Sequence, residues 1–171
     1  ATVTLSAIAT VAAGRSVNRV EFYDGVALLT SDSSSPFSTT QTSVTGGTHS
    51  YIAKVYDSAA TPLTATSTII PVTVNIAPTV ALTATCHASP CAAPATVTLT
   101  ATPADADGVI SKVEFYRGGT LLGTRTAAPW THDNVAVAAG SYSYTAKAFD
   151  SASTPLATVS TAQSLVVSVS T

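Results

Sequence analysis

One four-residue word is written twice in this chain, and it limits what the chain can fold into. Val113-Glu114-Phe115-Tyr116 repeats Val20-Glu21-Phe22-Tyr23 at a spacing of 93 residues. Each copy is followed by a glycine and a leucine pair, Gly25 with Leu28-Leu29 and Gly118 with Leu121-Leu122. From Val20/Val113 to Leu63/Leu156 the two stretches align without a gap, and 20 of 44 positions are identical. A fixed-period repeat means one structural unit built twice. The 171 residues therefore divide into two units of ~75–95 residues, about the size of a small β-sandwich. The stretch Asn75-Ile76-Ala77-Pro78 marks the expected boundary, giving units 1–76 and 77–171. Ending in proline, it predicts a restricted joint.

Almost every apolar segment alternates with period two and is rich in Val, Thr, Ile and Tyr, which is the pattern of strands. In unit 1 the expected strands open at Thr2–Ile8 and Asn18–Tyr23, and the last runs from Thr66 to Ile76. Asp24-Gly25 is a hairpin signal between the second and third strands. Unit 2 reads as seven strands, from Thr79–Thr85 to Thr158–Val169. It carries one element that unit 1 lacks. Thr79–Thr85 and the cysteine loop precede Ala95-Thr96-Val97-Thr98-Leu99, which matches Ala1-Thr2-Val3-Thr4-Leu5. Unit 1 is thus expected to miss its own first strand, either because the chain was cut there or because the strand comes from elsewhere. The start at Ala1 and the absence of Met point to a processed or excised piece of a longer product.

Charged residues make up 9% of the chain, against a usual ~25%, so Thr, Ser and Ala must cover most of the surface. The net charge is −2, with seven scattered basic residues. Nucleic acid binding needs a Lys/Arg patch for phosphates, and this distribution excludes it as a partner. No apolar run approaches the ~18 residues of a membrane helix, so no membrane insertion is expected. Cys86 and Cys91, with a single neighbouring His87, make a poor zinc site, because zinc takes four ligands. A small local disulfide in an oxidising compartment is the simpler expectation.

Asp105-Ala106-Asp107-Gly108 is the one acidic cluster. Its carboxylates are the kind of oxygen ligand that calcium takes; the plainer reading is a tight turn, for which Asp-Gly is suited. Unit 1 keeps the glycine, Gly14, and loses the acids, which favours the turn. No other cofactor is expected. Glu21 and Glu114 invite an acid/base reading, but they sit at equivalent places in different units, whereas a glycosidase needs its two carboxyls close together. They are expected to face outward and pair across strands. Asp57 and Asp150 end matching strands as turn caps. His49, His87 and His132 share no spacing with a nucleophile, and no Gly-x-Ser-x-Gly elbow exists. His49 occupies the position of Tyr142 and is expected to do its packing or hydrogen-bonding work. Trp130, with Tyr116 and Tyr23, offers aromatic surface on which a sugar ring stacks; against that, Trp130 aligns with Phe37 after a shared proline, as a core residue would. The Thr/Ser abundance suits strands and is also the composition that carries O-linked sugar.

Val-Glu-Phe-Tyr, then Gly, Leu-Leu, a Pro-aromatic pair, Gly-x-Tyr and Ala-x-Ala-x-Asp together resemble bacterial immunoglobulin-like domains. In unit 2 the match is Val113–Tyr116, Gly118, Leu121-Leu122, Pro129-Trp130, Gly140-Ser141-Tyr142 and Ala146–Asp150. In unit 1 it is Val20–Tyr23, Gly25, Leu28-Leu29, Pro36-Phe37, Gly47-Thr48-His49 and Ala53–Asp57. The inter-sheet disulfide of antibody domains is absent from both. The resemblance implies an all-β chain of two tandem immunoglobulin-like antiparallel sandwiches, the first lacking its first strand. It also implies a non-catalytic spacer or adhesive module, extracellular or at the cell surface, whose partners are neighbouring domains of a longer protein. Two rivals stand beside it. One is a fibre subunit joined to like subunits by strand addition, with Leu165–Thr171 or an unseen extension as donor. The other is a polysaccharide-binding accessory of a glycan-degrading enzyme.

Overall fold

A computed structural model describes residues 1–170 and contains strands and no helices among them. The chain separates into two compact units, Ala1–Val74 and Asn75–Thr171. Thr171, the last residue of the C-terminal donor segment named above, lies outside the described residues.

In unit 1, β1 (Val3–Ala7) pairs antiparallel with β4 (Phe37–Gln41) to make a two-stranded sheet. The facing sheet runs β3 (Ala27–Asp32), β2 (Val17–Asp24), β5 (Gly47–Asp57), β6 (Thr64–Thr66). The other half of β5 pairs with β7 (Ile70–Val74). Alternation puts Val20 and Phe22 of β2 inward, where they meet Phe37 of β4 to form the small core.

Unit 2 repeats the plan with one strand more. Its first sheet is β12 (Thr131–Val137), β9 (Ala95–Ala104), β8 (Thr79–Cys86). Its second is β11 (Thr120–Arg125), β10 (Ile110–Arg117), β13 (Gly140–Asp150), β14 (Ala157–Val159), and β15 (Gln163–Val167) pairs with the rest of β13. Val97, Leu99, Val113, Phe115, Tyr144 and Ala146 are all 0% exposed in its core. The Tyr144 hydroxyl is not wasted there, since Asn134 donates to it at 3.1 Å.

The last strand of each unit is two strands rather than one, so unit 2 has eight strands and not seven. A serine makes the break. Ser160 donates its N–H to the Ala146 carbonyl, and its hydroxyl accepts the Ala146 N–H at 3.0 Å and donates to the Thr161 carbonyl. A side chain that takes over a ladder position ends the ladder. Ser67 does the same with Ala53 and Thr68 in unit 1.

The hairpins after β2 and β10 match as well. Gly25 and Gly118 sit at φ +57° and +53°, where a side chain would be strained, and both hairpins carry a register shift, at Phe22/Tyr23 and Phe115/Tyr116. Gly14 and Gly108 are not equivalent, against the expectation of one shared turn. Gly14 has φ +81°, while Gly108 has no left-handed backbone. A Cβ at Gly108 would lie 2.8 Å from the Asp105 carboxylate, so glycine is kept there by close approach.

Candidate functional site

Three sets of residues and two histidines carry chemistry, and the first two sets brace both units alike. The first is the pair of glutamates. On β2, Arg19 Nε donates to Glu21 Oε1 at 2.8 Å, and Tyr23 Oη donates to Glu21 Oε2 at 2.6 Å. On β10, Lys112 Nζ and Tyr116 Oη reach the two oxygens of Glu114, each at 2.6 Å. These partners are two residues away on the same strand, because period two puts i and i±2 on one face; across the strand, as expected, Tyr56 adds to Glu21 and the charge of Lys147 to Glu114. The opposite strand adds the lid. The Arg19 guanidinium sits 3.7 Å over the Tyr56 ring, and the Lys112 ammonium 4.2 Å over Phe149. Burial pushes both carboxyls up, but the hydrogen bonds from Tyr23 and Arg19, and from Lys112 and Tyr116, outweigh it and hold both below the usual carboxylate range. Bonded to its carboxylate, the Tyr23 phenol is pushed up to about 12. A general acid needs a carboxyl held protonated near neutral pH, and these environments do the opposite.

The second set is the loop caps. Asp57 and Asp150 are 3% and 1% exposed. Asp57 Oδ1 accepts the N–H groups of Ala59 and Leu63, and Asp150 Oδ1 those of Ala152 and Leu156. The same loop is thus folded round one carboxylate in each unit, as caps do. The counter-group differs. Asp57 pairs with Arg15, whereas Asp150 accepts from the amide of Asn75 at 2.8 Å.

The third set is the residues singled out for ligands. Cys86 and Cys91 form a disulfide. Asp105 Oδ1 accepts from the Asp107 N–H at 3.4 Å, and Asp107 Oδ2 from the Ile76 N–H at 3.0 Å. Asp105 Oδ2 is buried without a partner. Among the described residues no group of three or more His, Cys, Asp or Glu converges as metal ligands would. Trp130 is half-buried against the core cluster of unit 2. Tyr116 lies on the other face of β10 from Val113 and Phe115, with its hydroxyl on Glu114. The two aromatics do not meet on one surface. A shallow hollow beside Tyr116, with Gly119, Thr145, Lys147 and Val159, does not include Trp130.

Two histidines found partners that spacing did not reveal. His49 Nδ1 lies 2.6 Å from Asp24 Oδ2, and Nε2 lies 3.1 Å from the Thr45 carbonyl. Asp24, with help from that carbonyl, holds the imidazole above its ordinary pKa. His132 stacks on Phe115, with ring centroids 5.8 Å apart, and its Nδ1 is buried without a partner. Burial lowers its pKa, and Arg125 adds to this. It fits because a Cβ at Gly123 would come within 2.6 Å of the ring. Unit 1 has Thr30 and Thr39 at these two positions, so a large-small pair in one unit replaces a matched pair in the other.

The last feature is space. A groove of about 600 Å³ lies open in unit 1, between β1 on one side and β5, β6 and β7 on the other. Leu5, Phe22, Tyr51, Val55, Ile70 and Val72 are among its walls. Of the residues singled out from the sequence, none of Cys86, Cys91, Asp105, Asp107, Trp130 or Tyr116 touches it.

Among known proteins, a solved structure of fibronectin(III)-like modules of CbhA from Clostridium thermocellum is 28% identical. The alignment covers 98% of this chain and 85% of that one, with a TM-score of 0.47. A central fibronectin-III array of RIM-binding protein is 11% identical over 99% of this chain and 64% of that one, with a TM-score of 0.40. No curated protein matches. The family described as bacterial Ig domain matches residues 1–53 and 78–146, one stretch in each repeat and more than half of the chain in total. With two antiparallel sandwiches built on one repeated sequence, the chain belongs to the bacterial Ig domain family.

Proposed function

We propose that this chain is a non-catalytic structural or adhesive spacer of a secreted or surface-attached bacterial protein, working in series with neighbouring domains. One observation carries the reading. The same charged residues are spent in the same way in both units, Glu21 and Glu114 under their strand neighbours and Asp57 and Asp150 inside their loops. Chemistry that recurs at every copy as internal bracing belongs to the fold. Bacterial Ig domains are commonly found in extracellular or surface proteins and are generally non-catalytic. Among the described residues no helix is long and apolar enough to cross a membrane. Pulling single molecules of the full chain tests the reading. Two separate unfolding steps are expected, together with no retention of the chain on insoluble cellulose, xylan or chitin. Retention on one of these, lost in Trp130→Ala, would replace the spacer with a polysaccharide-binding accessory.

A second reading, a fibre subunit that grows by strand addition, is favoured by the open groove of unit 1. The donor is not the C-terminal segment in its folded place. Leu165–Val167 already pairs with β13, and Val167 is 1% exposed. Light scattering of the purified chain distinguishes a 17.1 kDa monomer from a ladder of oligomers.

A further inference from the structure

Asp57 and Asp150 close the same loop in the two units, but each has a further partner, and that partner comes from different places. In unit 1 it is Arg15, from the loop just before β2. Val17 and Ile110 pair with Asp57 and Asp150, and counted back from them Arg15 falls on Gly108. Unit 2 therefore has no cation to offer at that place. Among the described residues no Lys, Arg or His pairs with Asp150. A carboxylate that is 1% exposed and lacks a cation depends on its hydrogen-bond donors. The N–H groups of Ala152 and Leu156 come from the loop itself. The remaining donor is the side-chain amide of Asn75.

Asn75 opens the segment Asn75–Pro78, which joins β7 to β8 and packs as part of unit 2. The segment is held at three points. The Asn75 amide donates to Asp150 Oδ2 at 2.8 Å, the Ile76 N–H donates to Asp107 Oδ2 at 3.0 Å, and Pro78 is fully buried. Asp107 is positioned in turn by its own N–H, which donates to Asp105 Oδ1 at 3.4 Å. Burial pushes the Asp150 carboxyl up, but the Asn75 amide, ahead of the Leu156 and Ala152 N–H groups, holds it below the usual carboxylate range.

We propose that Asn75–Pro78 is a strap of unit 2 rather than a free linker, and that Asn75 is the latch of the loop Asp150–Leu156. Lifting the strap removes the amide from Asp150 Oδ2 and leaves a buried carboxylate short of a donor, so the loop opens to let water in. The sheet of β10, β13, β14 and β15 stays paired, because none of its ladder bonds runs through the strap. Unit 1 has no such coupling. Its latch, Arg15, lies within the unit that it braces. A load carried along the chain, as in the spacer reading, is thus felt first at the Asp150 loop; the docking itself does not rest on that reading.

Amide hydrogen exchange on the full chain, read residue by residue, tests the strap without load. The Ile76 N–H should exchange roughly tenfold or more slowly than in an unstructured peptide, and Asp107→Ala should remove that protection. Asn75→Ala should speed exchange at Ala152 and Leu156 severalfold. Ala59 and Leu63 in the matching loop of unit 1 should stay as they were, and so should Ala101 and Ala146, whose N–H groups are bonded within unit 2. Asn75→Asp, which sets a second carboxylate against Asp150, should speed the Asp150 loop further. An unprotected Ile76 in the unmodified chain overturns the proposal. So does unchanged exchange at Ala152 and Leu156 in Asn75→Ala, or loss of protection at Ala101 and Ala146 along with them, since Asn75 would then support the whole unit and not one loop. Saturable calcium-induced shifts at Asp105 and Asp107 that free Ile76 would make the turn a cation site and overturn its use as the dock. If exchange behaves as expected but pulled single molecules show no separate unfolding steps, the strap stands and the spacer reading falls.

Discussion

Unit 1 and unit 2 share their sheet-forming residues but not their closure. Phe22 and Phe115 are equally buried, at 2% and 0% exposed, since both face the strands that the units have in common. Leu5 and Leu99, the same residue in the same strand, are not: one is half-buried and the other sealed. Identical local sequence therefore gives an identical strand, while the energy of each side chain is set by whether a neighbouring strand covers it. Solvent reaches Leu5, Ala53 and Val74, whose counterparts Leu99, Ala146 and Val167 are sealed.

The largest effects expected are at that difference. Leu99→Ala empties a sealed site and should cost ~2–5 kcal/mol, while Leu5→Ala should cost only ~1–2 kcal/mol, because the groove already admits water. Denaturant unfolding of the two variants checks it, and equal costs would mean that the groove is closed in solution. Gly123→Ala should cost ~1–3 kcal/mol by pressing on His132, and most of it should return in the double variant with His132→Thr, the residue type unit 1 uses. A thermodynamic cycle reads the coupling. Ser160→Ala strips the partner from a buried N–H and should cost ~1–3 kcal/mol. Ser67→Ala should stay within ~0.5 kcal/mol, since water reaches Ala53 in its place.

The smallest effect is the most selective, because the two units titrate in opposite senses. His49 is raised, so its bond to Asp24 stabilises unit 1 fully below the ordinary histidine pKa of ~6.5 and is lost as pH rises through the raised value. His132 is lowered, so unit 2 is fully stable above ~6.5 and weakens as pH falls from there toward the lowered value. Asp24 is itself held below the usual carboxylate range, so its own protonation lies at lower pH. Between pH 8 and pH 5 the melting transition of unit 1 should rise and that of unit 2 fall. His49→Gln should flatten the first trend and His132→Thr the second. Two transitions moving together would refute both assignments.

Much of this was legible in the sequence. Period-two alternation located the strands, and the Asp24-Gly25 turn located a hairpin. The match of Ala1–Leu5 to Ala95–Leu99 identified β1 as the counterpart of β9. The cysteine spacing pointed to the Cys86–Cys91 bond. What was missed depends on contacts that alternation cannot show. The breaks at Ser67 and Ser160 come from one hydroxyl displacing one ladder bond within a run of good strand formers. The outward phase of Glu21 was read correctly, but its 8% exposure comes from Arg19, Tyr23 and Tyr56 closing over it. Gly108 looked like Gly14 because a close approach and a left-handed turn select the same residue. His49 and Asp24 lie 25 residues apart and meet only because β5 is folded beside β2. The groove was implied by the missing strand, but its walls could not be named before β6 and β7 were separated.

The loop after β8 has a mechanical consequence. Ala92 bridges Ser168 in parallel, with the Ala93 N–H donating to the Ser168 carbonyl and the Ser168 N–H to the Cys91 carbonyl, and the disulfide ties Cys91 back to β8. The segment leading into β9 and the segment following β15 are thereby laid side by side in the same direction, and the disulfide joins the first of them to the end of β8. Tension applied through the two ends loads these bonds in shear, so that they must break together, whereas an antiparallel pair pulled from one end opens bond by bond. A module placed in series in a stretched protein would give way last at such a clamp, and reduction of the disulfide would lower the force it bears.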